Sequence, residues 1–349
     1  MPTTKGTEGG EVAMPRTGPA DSLVDVAGVR VGQVQRRGDG WRTGVTVVLF
    51  PPDGAVAGVE VSGGAPCTHE TDLLDPRNLV ERVHAISLSG GSVFGLAATA
   101  GVTGWLADHG HGLVAGPDRT ERIPLVPGAS IFDLGRGGRF RAAPDAAMGA
   151  RACEEATDGP VAQGSVGAGT GAVAGGLAGG VGTASAITPA GFTVAALAVV
   201  NASGSPVDPG TGELYGARYG LPGAFAGLRR PRSAEPAAVT TGYRRVPRST
   251  TLAVLATDAR LDRGRCGRLA TAAHDGMART LRPVHTLTDG DAAFAASLGE
   301  REPDFAAFQD LLAVAGDVFV RAALGGLLRA EGWPGVPSYR DAYPSAFPE

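Results

Sequence analysis

Short apolar runs, bounded by glycine, proline and polar residues, alternate along the chain with segments in which apolar residues recur at helical spacing. The runs are rich in β-branched residues, which favour the extended backbone, and they predict buried strands. The clearest runs are residues 45–50, 85–89, 192–200 and 252–257. Helices are predicted where apolar positions three or four apart form one face, at Leu269, Ala273, Met277 and Leu281 and later at Phe305, Phe308, Leu311, Leu312, Val318 and Leu324. The mixture predicts an α/β or α+β protein with buried sheets.

Two longer segments differ in polarity. Residues 159–207 contain no charged side chain, and glycine, alanine, serine and threonine fill much of the stretch. This composition predicts buried backbone, close-packed at a sheet or a subunit interface, because glycine lets main chains approach each other. Residues 229–249 are instead rich in arginine and proline and predict an exposed linker.

Composition and charge narrow the class of protein. The chain has 349 residues, of which 43% are hydrophobic, and can therefore bury a substantial core. Its formal charge of -4 argues against nucleic-acid or membrane-surface partners, which require a dense basic face. Three widely spaced cysteines and the lack of a secretory signal favour a cytoplasmic location. Residues 1–21 predict a disordered tail, in which Met14 is an alternative start to Met1.

Several familiar motifs occur only in part. Residues 169–174 fit the G-x-G-x-x-A dinucleotide pattern, but the next acidic residue, Asp208, is too far along to bind a ribose. His109 and His111 resemble half a metal site without further ligands at matching spacing, and a turn at a helix end is the simpler interpretation. The G-x-S-x-G elbow of α/β-hydrolases does not occur. We therefore expect neither a cofactor nor a metal.

The junction between the linker and the next apolar run carries two threonines, Thr250 and Thr251. A threonine hydroxyl is a weak nucleophile until a base removes its proton, and the residue's own α-amine can be that base once the chain is cut before it. The unperturbed pKa of an α-amine is about 7.7 to 8.0, so a fair fraction is neutral at cellular pH. The alternative interpretation is that both threonines simply begin a strand after a linker.

Six blocks of sequence, in order, carry a resemblance to a known family. They are GGAPCTHETDLLDPRNLVERVHAISLSGGSVFGL (63–96), VPGASIFDL (126–134), GSVGAGTGA (164–172), VVNASG (199–204), STTLAVLATDARL (249–261) and LTDGDAAFA (287–295). Together they resemble the self-cleaving N-terminal-nucleophile aminopeptidases, the family of the L-aminopeptidase/D-esterase DmpA, the β-aminopeptidases and the nylon-oligomer hydrolases. The resemblance covers nearly everything from about Ser22 to Ala295.

The resemblance implies an α+β fold, the αββα sandwich of the DmpA and ornithine acetyltransferase type. It implies a single catalytic domain, residues 22–349, made as one precursor and cut between Ser249 and Thr250. The products would be an α chain, 1–249, and a β chain, 250–349, with Thr250 as the nucleophile. Relatives of this kind assemble as tetramers of αβ units, so a homo-oligomer is expected.

Further site residues follow from the same resemblance. The family's D-G-D carboxylates fall on Asp289 and Asp291, where they would orient the Thr250 hydroxyl and ammonium. The alternative for this pair is a D-G turn that leads into a helix cap. Asn201 matches a family asparagine at the end of a central strand, whose amide can donate to an oxyanion, and its alternative is an ordinary turn.

The sequence departs from the family pattern at three places. Ser249 stands where nylon-oligomer hydrolases have asparagine. Phe132 stands where the family has a tyrosine, and a phenyl ring cannot donate a hydrogen bond. If that tyrosine holds the oxyanion, its loss costs about 3 kcal/mol, or about a hundredfold in rate. The lysine that some relatives carry after the glycine-rich block is absent as far as Gly182.

These observations predict an autoprocessed amide hydrolase of the aminopeptidase or β-aminopeptidase type, which acts through a threonyl acyl-enzyme on a small peptide or amide. One rival is an acyltransferase of the ornithine acetyltransferase type, although the K-G-x-G-M signature of that group is not seen. A second rival is a non-catalytic relative that stays one chain because Phe132 and Ser249 impair processing.

Overall fold

The computed structural model describes residues 14–235 and 248–348, which include sixteen strands and six α-helices. The strands are β1 (Arg16–Thr17), β2 (Arg30–Gly38), β3 (Trp41–Leu49), β4 (Ala55–Val61), β5 (Thr68–His69), β6 (Arg82–Val83), β7 (Ala85–Ser89), β8 (Leu113–Val114), β9 (Arg122–Ile123), β10 (Gly128–Ser130), β11 (Val173–Ala174), β12 (Leu177–Ala178), β13 (Gly180–Ile187), β14 (Thr193–Val200), β15 (Leu252–Ala259) and β16 (Ala292–Arg301). The helices are α1 (Ser92–Gly95), α2 (Ala97–Asp108), α3 (Ala146–Glu154), α4 (Arg263–Thr280), α5 (Phe305–Leu328) and α6 (Tyr339–Ala342).

The larger of the two main sheets has seven strands in the order β1-β13-β14-β15-β16-β4-β6. Its central strand, β15, runs parallel to β16 and antiparallel to β14, and the remaining neighbours are antiparallel. Strands β13 and β14 are almost wholly buried. Their burial confirms the prediction of close-packed backbone from the uncharged composition of residues 159–207.

The smaller main sheet has five strands in the order β2-β3-β7-β10-β5. Strands β7 and β10 are parallel, with Ser89 opposite Ser130, and the other pairs are antiparallel. The short strand β10 therefore ends at the same edge of the sheet as β7. The loops that follow these two strands lie side by side.

Alternate residues along the strands face different layers. In β15, Leu252 and Val254 pack between the two sheets, whereas Ala253 and Leu255 pack against helices. Helices α4 and α5 contact the larger sheet, and α2 and α3 contact the smaller one. The order of layers is helix, sheet, sheet, helix, which confirms the predicted αββα sandwich.

Helix α5 is the most apolar long element. By length and composition it could cross a membrane. Most of the helix is buried, however, and it contacts β13, β14 and α4. Its apolar character is therefore accounted for by its place in the core, between the larger sheet and a second helix.

The elements predicted from apolar patterning correspond to β3, β7, β14, β15, α4 and α5. The predicted disordered tail is too long, because Arg16 and Thr17 pair with β13 at the edge of the larger sheet. The N–H of Gly18 continues this attachment by donating to the Ser185 carbonyl. Residues 1–13 lie outside the described residues.

The predicted linker is exposed only in part. Most of residues 229–235 are exposed, although Pro231 is buried. Ser249 is only 3% exposed. Its N–H donates to the Thr288 carbonyl, and it pairs with Asp289 in an isolated parallel β-bridge. The linker prediction is therefore wrong at its last residue, and residues 236–247 lie outside the described residues.

Candidate active site

The sequence-predicted site residues converge on one edge of the larger sheet. Strands β15 and β16 are parallel, so the residues that precede them, Thr250 and Asp289 to Asp291, lie at the same edge. Strand β14 is antiparallel to β15, so Asn201, which follows β14, reaches that edge as well. We call the set Asn201, Ser249, Thr250, Asp289, Gly290 and Asp291 the nucleophile wall.

The Ser249–Thr250 peptide bond is held on both sides by backbone hydrogen bonds. The Thr250 N–H donates to the Asn201 carbonyl at 2.6 Å, and the Gly290 N–H donates to the Ser249 carbonyl oxygen at 2.9 Å. The Thr250 hydroxyl donates to the same carbonyl oxygen at 2.6 Å. This arrangement places the hydroxyl beside the carbonyl of the bond that precedes it, and that carbonyl is polarised by an N–H donor.

Gly290 is positioned where no larger residue fits. A Cβ at this position would lie 2.7 Å from the Thr250 Oγ1 and 2.6 Å from the Ala65 carbonyl oxygen. Both distances are shorter than a van der Waals contact, and one of the two atoms belongs to backbone. Glycine therefore allows the D-G-D backbone to approach the threonine hydroxyl closely.

The Asn201 side chain is fully buried, and its amide is bound at the oxygen only. The Oδ1 accepts from Arg136 Nη1 at 2.5 Å and from the Val173 N–H at 3.1 Å. The Nδ2 is buried without a hydrogen-bond partner among the described residues. Such an unsatisfied donor is unusual in a folded protein and is a candidate for a ligand contact.

The two carboxylates of the D-G-D segment are almost completely buried and are fixed by different groups. Asp289 accepts from the Ser203 N–H at 3.0 Å and from the Thr286 hydroxyl at 2.5 Å. Asp291 accepts from the Thr251 N–H at 2.7 Å. Thr251 adjoins Thr250 and Ser203 lies two residues after Asn201, so these hydrogen bonds tie the carboxylates to the segments around the Thr250 hydroxyl in the intact chain. The segment leads into strand β16, so the alternative interpretation as a helix cap is wrong.

A second sheet faces the nucleophile wall across a cavity of about 290 Å³. Side chains two residues apart in an extended chain lie on the same face, and Leu252 packs between the two sheets. Thr250 lies on that face and lines the cavity. The other lining residues are Ala65, Cys67, Ser92, Ser130, Phe132, Arg248, Ser249, Leu287 and Thr288. We call the set Ser92, Ser130, Phe132, Asp133 and Arg136, which follows β7 and β10, the facing wall. Ser249 and Thr250 of the nucleophile wall and Ser92, Ser130 and Phe132 of the facing wall line the cavity.

Phe132, where the family has a tyrosine, lies on the facing wall and lines the cavity together with Thr250. The Arg248 guanidinium lies 5.8 Å from the centre of its ring. An aromatic ring at this distance attracts a cation through its quadrupole. Phe132 therefore contributes an apolar surface and a cation contact to the cavity, without a hydroxyl.

The facing wall contains a buried acid, Asp133, and a partly buried cation, Arg136, three residues later. Burial raises the pKa of Asp133 to about 6, opposed by the Thr43 side chain, the Arg136 charge and the Gly91 N–H, which donates at 2.6 Å. Burial lowers the pKa of Arg136 to about 10, opposed by the charge of Asp133. At neutral pH Arg136 is therefore cationic and Asp133 is mostly ionised.

The model of peptidase family S58 matches residues 21–339, which is most of the chain. The chain belongs to peptidase family S58. Membership of this family makes it a hydrolase with peptide or amide substrates, and it confirms the resemblance to the DmpA, β-aminopeptidase and nylon-oligomer hydrolase group.

Relatives from the family S58 group match over most of their length. An uncharacterized aminopeptidase of Mycobacterium tuberculosis is 46% identical over 94% of this chain and 99% of its own. A 6-aminohexanoate-oligomer endohydrolase of a Kocuria species is 31% identical over 81% of this chain and 77% of its own. The solved L-aminopeptidase D-Ala-esterase/amidase of Ochrobactrum anthropi has a TM-score of 0.68 and 21% identity, over 92% of this chain and 90% of its own. That structure shows the same fold.

Three residues of this candidate site were not identified from sequence. The Nδ1–H of His285 donates to the Asp291 carboxylate at 2.8 Å, and the His285 backbone N–H donates to the same oxygen. Arg136 binds Asn201 although the two are 65 positions apart. Gly290 was read only as part of a turn. The short spacing of His285 from the D-G-D segment is a signal in the sequence, whereas the Arg136 contact depends on the way the two sheets stack.

Proposed function

We propose that the chain is an autoprocessed N-terminal-nucleophile amide hydrolase, cut between Ser249 and Thr250, in which Thr250 is the nucleophile. The observation that carries this proposal is the environment of one carbonyl group. The Ser249 carbonyl oxygen accepts from both the Thr250 hydroxyl and the Gly290 N–H. A buried peptide bond is thus presented to its own neighbouring hydroxyl with a donor on the carbonyl oxygen.

Self-cleavage would begin when the Thr250 Oγ1 attacks the Ser249 carbonyl carbon. The hydroxyl proton moves to the Thr250 nitrogen, the C–N bond breaks, and an ester joins Ser249 to the Thr250 oxygen. Water then hydrolyses that ester, which leaves a carboxylate on Ser249 and a free amine on Thr250. The Gly290 N–H would stabilise the negative charge on the carbonyl oxygen during the first step.

Turnover of substrate would reuse the same groups. The new α-amine has an unperturbed pKa of about 7.7 to 8.0, which suits a general base near neutral pH. The Asn201 carbonyl, which accepts the Thr250 N–H in the intact chain, would hold the amine in place. The hydroxyl attacks the substrate carbonyl, the amine product leaves, and water releases the acid from the threonyl ester. The unpartnered Asn201 Nδ2 would donate to the oxyanion.

Removal of the N-terminal residue of a small peptide or β-peptide is the reaction we propose, with short amide oligomers as a related substrate class. The cavity of about 290 Å³ supports a small acyl group beside Thr250. The names of the mycobacterial aminopeptidase and the 6-aminohexanoate-oligomer endohydrolase support the same class of bond. We also propose that the protein is a cytoplasmic homo-oligomer. Measuring the size of the purified protein in solution would test the oligomeric state, and fractionation of cells would test the location.

Mass spectrometry of freshly purified protein under denaturing conditions tests the proposal. We expect two fragments that meet between Ser249 and Thr250, and only the uncut 35.1 kDa chain for Thr250→Ala. The matched control is Thr251→Val, which should still be cut because the Thr251 hydroxyl has no hydrogen-bond partner among the described residues. Continued cutting at this bond in Thr250→Ala would disprove the assigned nucleophile. A single wild-type species without amidase activity would favour the non-catalytic rival.

A further inference from the structure

We propose that Arg136 is a positioning residue that locks the Asn201 amide in the orientation needed for oxyanion binding. The inference rests on the proposed function, because it assigns a partner to the oxyanion donor of that reaction. Its observation is independent, since it comes from the facing wall and from the oxygen of the amide rather than its nitrogen. Neither Arg136 nor Asn201 is among the residues that line the cavity, so Arg136 would act on the reaction through its hydrogen bond to Asn201 rather than by contact with substrate.

The orientation of the Asn201 amide follows from the chemistry of its partners. Arg136 and the Val173 backbone nitrogen can only donate hydrogen bonds. The amide atom that faces them at 2.5 Å and 3.1 Å must therefore be the oxygen. A flipped amide would direct an NH₂ group at two donors and leave the oxygen without a partner. The two contacts thus commit Nδ2 to the opposite side.

The consequence is a buried donor that the protein itself does not satisfy. The Asn201 Nδ2 has no hydrogen-bond partner among the described residues, and its residue is fully buried. Such a group destabilises the folded chain unless an acceptor binds it. Asn201 also touches the nucleophile directly, since its carbonyl accepts the Thr250 N–H at 2.6 Å. The proposed function supplies such an acceptor, the oxyanion formed beside Thr250.

Arg136 is itself held rigidly enough to act as a clamp. The same Nη1 donates to the Gly171 carbonyl at 2.5 Å, in the glycine-rich segment that precedes Val173. Asp133, three residues earlier, provides a negative charge that favours the cationic form. A cation at the amide oxygen also draws electron density from the amide and makes Nδ2–H a stronger donor. If Arg136 only bound the Gly171 carbonyl, it would neither orient the Asn201 amide nor strengthen its Nδ2–H donor.

The chain offers a direct probe of the amide, because it contains only two asparagines, Asn78 and Asn201. Protein labelled with ¹⁵N-asparagine will show two side-chain NH₂ pairs, and Asn201→Ala identifies which belongs to Asn201. Asn78 is exposed and serves as an internal reference. We expect Arg136→Met to shift or broaden the Asn201 pair and to leave the Asn78 pair unchanged. An unchanged Asn201 pair would overturn the clamp, whether or not the protein is active.

Kinetics then test whether the clamp serves catalysis. In cleaved protein assayed with an aminoacyl p-nitroanilide, we expect Arg136→Met to lower kcat about 10- to 100-fold with KM changed less than about threefold. In an Asn201→Ala background, the same change should lower kcat less than about threefold, because its target is gone. Equal losses in both backgrounds would overturn the proposal and indicate a structural role.

A conservative variant keeps the test decisive if Arg136→Met does not fold. Arg136→Lys retains a cation and a donor, and we expect it to lose less than about tenfold in kcat, again only when Asn201 is present. If the wild-type chain is neither cut nor active, the proposed function fails, while the NMR comparison still decides whether Arg136 orients Asn201. The two failures are therefore distinguishable.

Discussion

The nucleophile wall and the facing wall both contribute residues to one cavity, but they are built differently. On the nucleophile wall, Thr250 and the carboxylates of Asp289 and Asp291 are held by hydrogen bonds to nearby backbone. On the facing wall, Asp133 is buried and its carboxylate accepts from the Gly91 N–H. The first wall holds the proposed nucleophile by hydrogen bonds. The second keeps charged groups in an environment that shifts their pKa, and it also contains Phe132.

The largest predicted effect removes the close approach on the nucleophile wall. Gly290→Ala would place a Cβ 2.7 Å from the Thr250 hydroxyl oxygen and 2.6 Å from the Ala65 carbonyl, so the backbone must shift away from Ser249. We expect self-cleavage to slow at least about a hundredfold, since an oxyanion donor is displaced. The measurement is the cut fraction over time after purification, by mass spectrometry.

The matched control for Gly290→Ala is Gly104→Ala. Gly104 lies in α2, and nothing lies within 4 Å of a Cβ added there. Alanine should stabilise that exposed helix position by about 0.5 to 1 kcal/mol and leave self-cleavage unchanged. Wild-type cutting by Gly290→Ala would show that the nucleophile wall tolerates a shift, which would remove its contrast with the facing wall.

An intermediate effect is predicted for the buried acid of the facing wall. The pKa of Asp133 is raised from 3.8 to about 6 by burial, so the folded chain keeps this proton at pH values where the unfolded chain has lost it. Its contribution to the free energy of unfolding is therefore complete below about pH 4 and is lost as the pH rises through about 6. The loss amounts to about 2 to 3 kcal/mol.

Denaturant unfolding at several pH values checks this sign. In a Thr250→Ala background, which keeps one covalent chain, Asp133→Asn should remove the decrease between pH 4 and pH 7. The Gly91 N–H can still donate to the asparagine oxygen, so the local geometry has a partner in both forms. An identical pH dependence in the two proteins would contradict the assigned burial of charge on the facing wall.

The smallest predicted effect adds a donor to the facing wall. Phe132→Tyr introduces a hydroxyl into the cavity that Thr250 lines, and we expect kcat to rise about tenfold if that hydroxyl reaches the oxyanion. The matched control is Phe305→Tyr at the exposed start of α5, where Phe305 is 80% exposed. A drop in kcat for Phe132→Tyr would mean that the apolar ring, or its contact with Arg248, is what the cavity requires.

Sequence patterning predicted the frame of the molecule more fully than its site. Runs of β-branched residues predicted β14 and β15, and the ordered blocks placed Thr250 and Asn201 beside them. The segment Asp289 to Asp291 allowed a helix cap as an alternative, because the alanines that follow favour helix. Pairing of β16 with β15 and β4 overrides that local preference.

Local sequence patterns could not predict the contacts that orient the site residues. Arg136 meets Asn201 only after two sheets stack, and no periodicity in the sequence encodes that meeting. Ser249 was predicted to be part of the exposed linker because its neighbours are charged. In the structure it is buried and makes two backbone hydrogen bonds. In both cases the deciding interactions join residues that are far apart in the chain, so composition around each residue is a poor guide to its surroundings.

If the chain is cut as proposed, the burial of the Ser249–Thr250 bond makes that cleavage depend on correct folding. Its hydrogen-bond partners come from segments near residues 201 and 290, on either side of the bond in sequence. They assemble only when the central strands are in register. A misfolded chain would keep the Ser249–Thr250 peptide bond, so Thr250 would have no free α-amine and the chain would stay inactive. The fraction of cut molecules in a cell extract would then count correctly folded molecules, with each chain recording its own folding once and irreversibly.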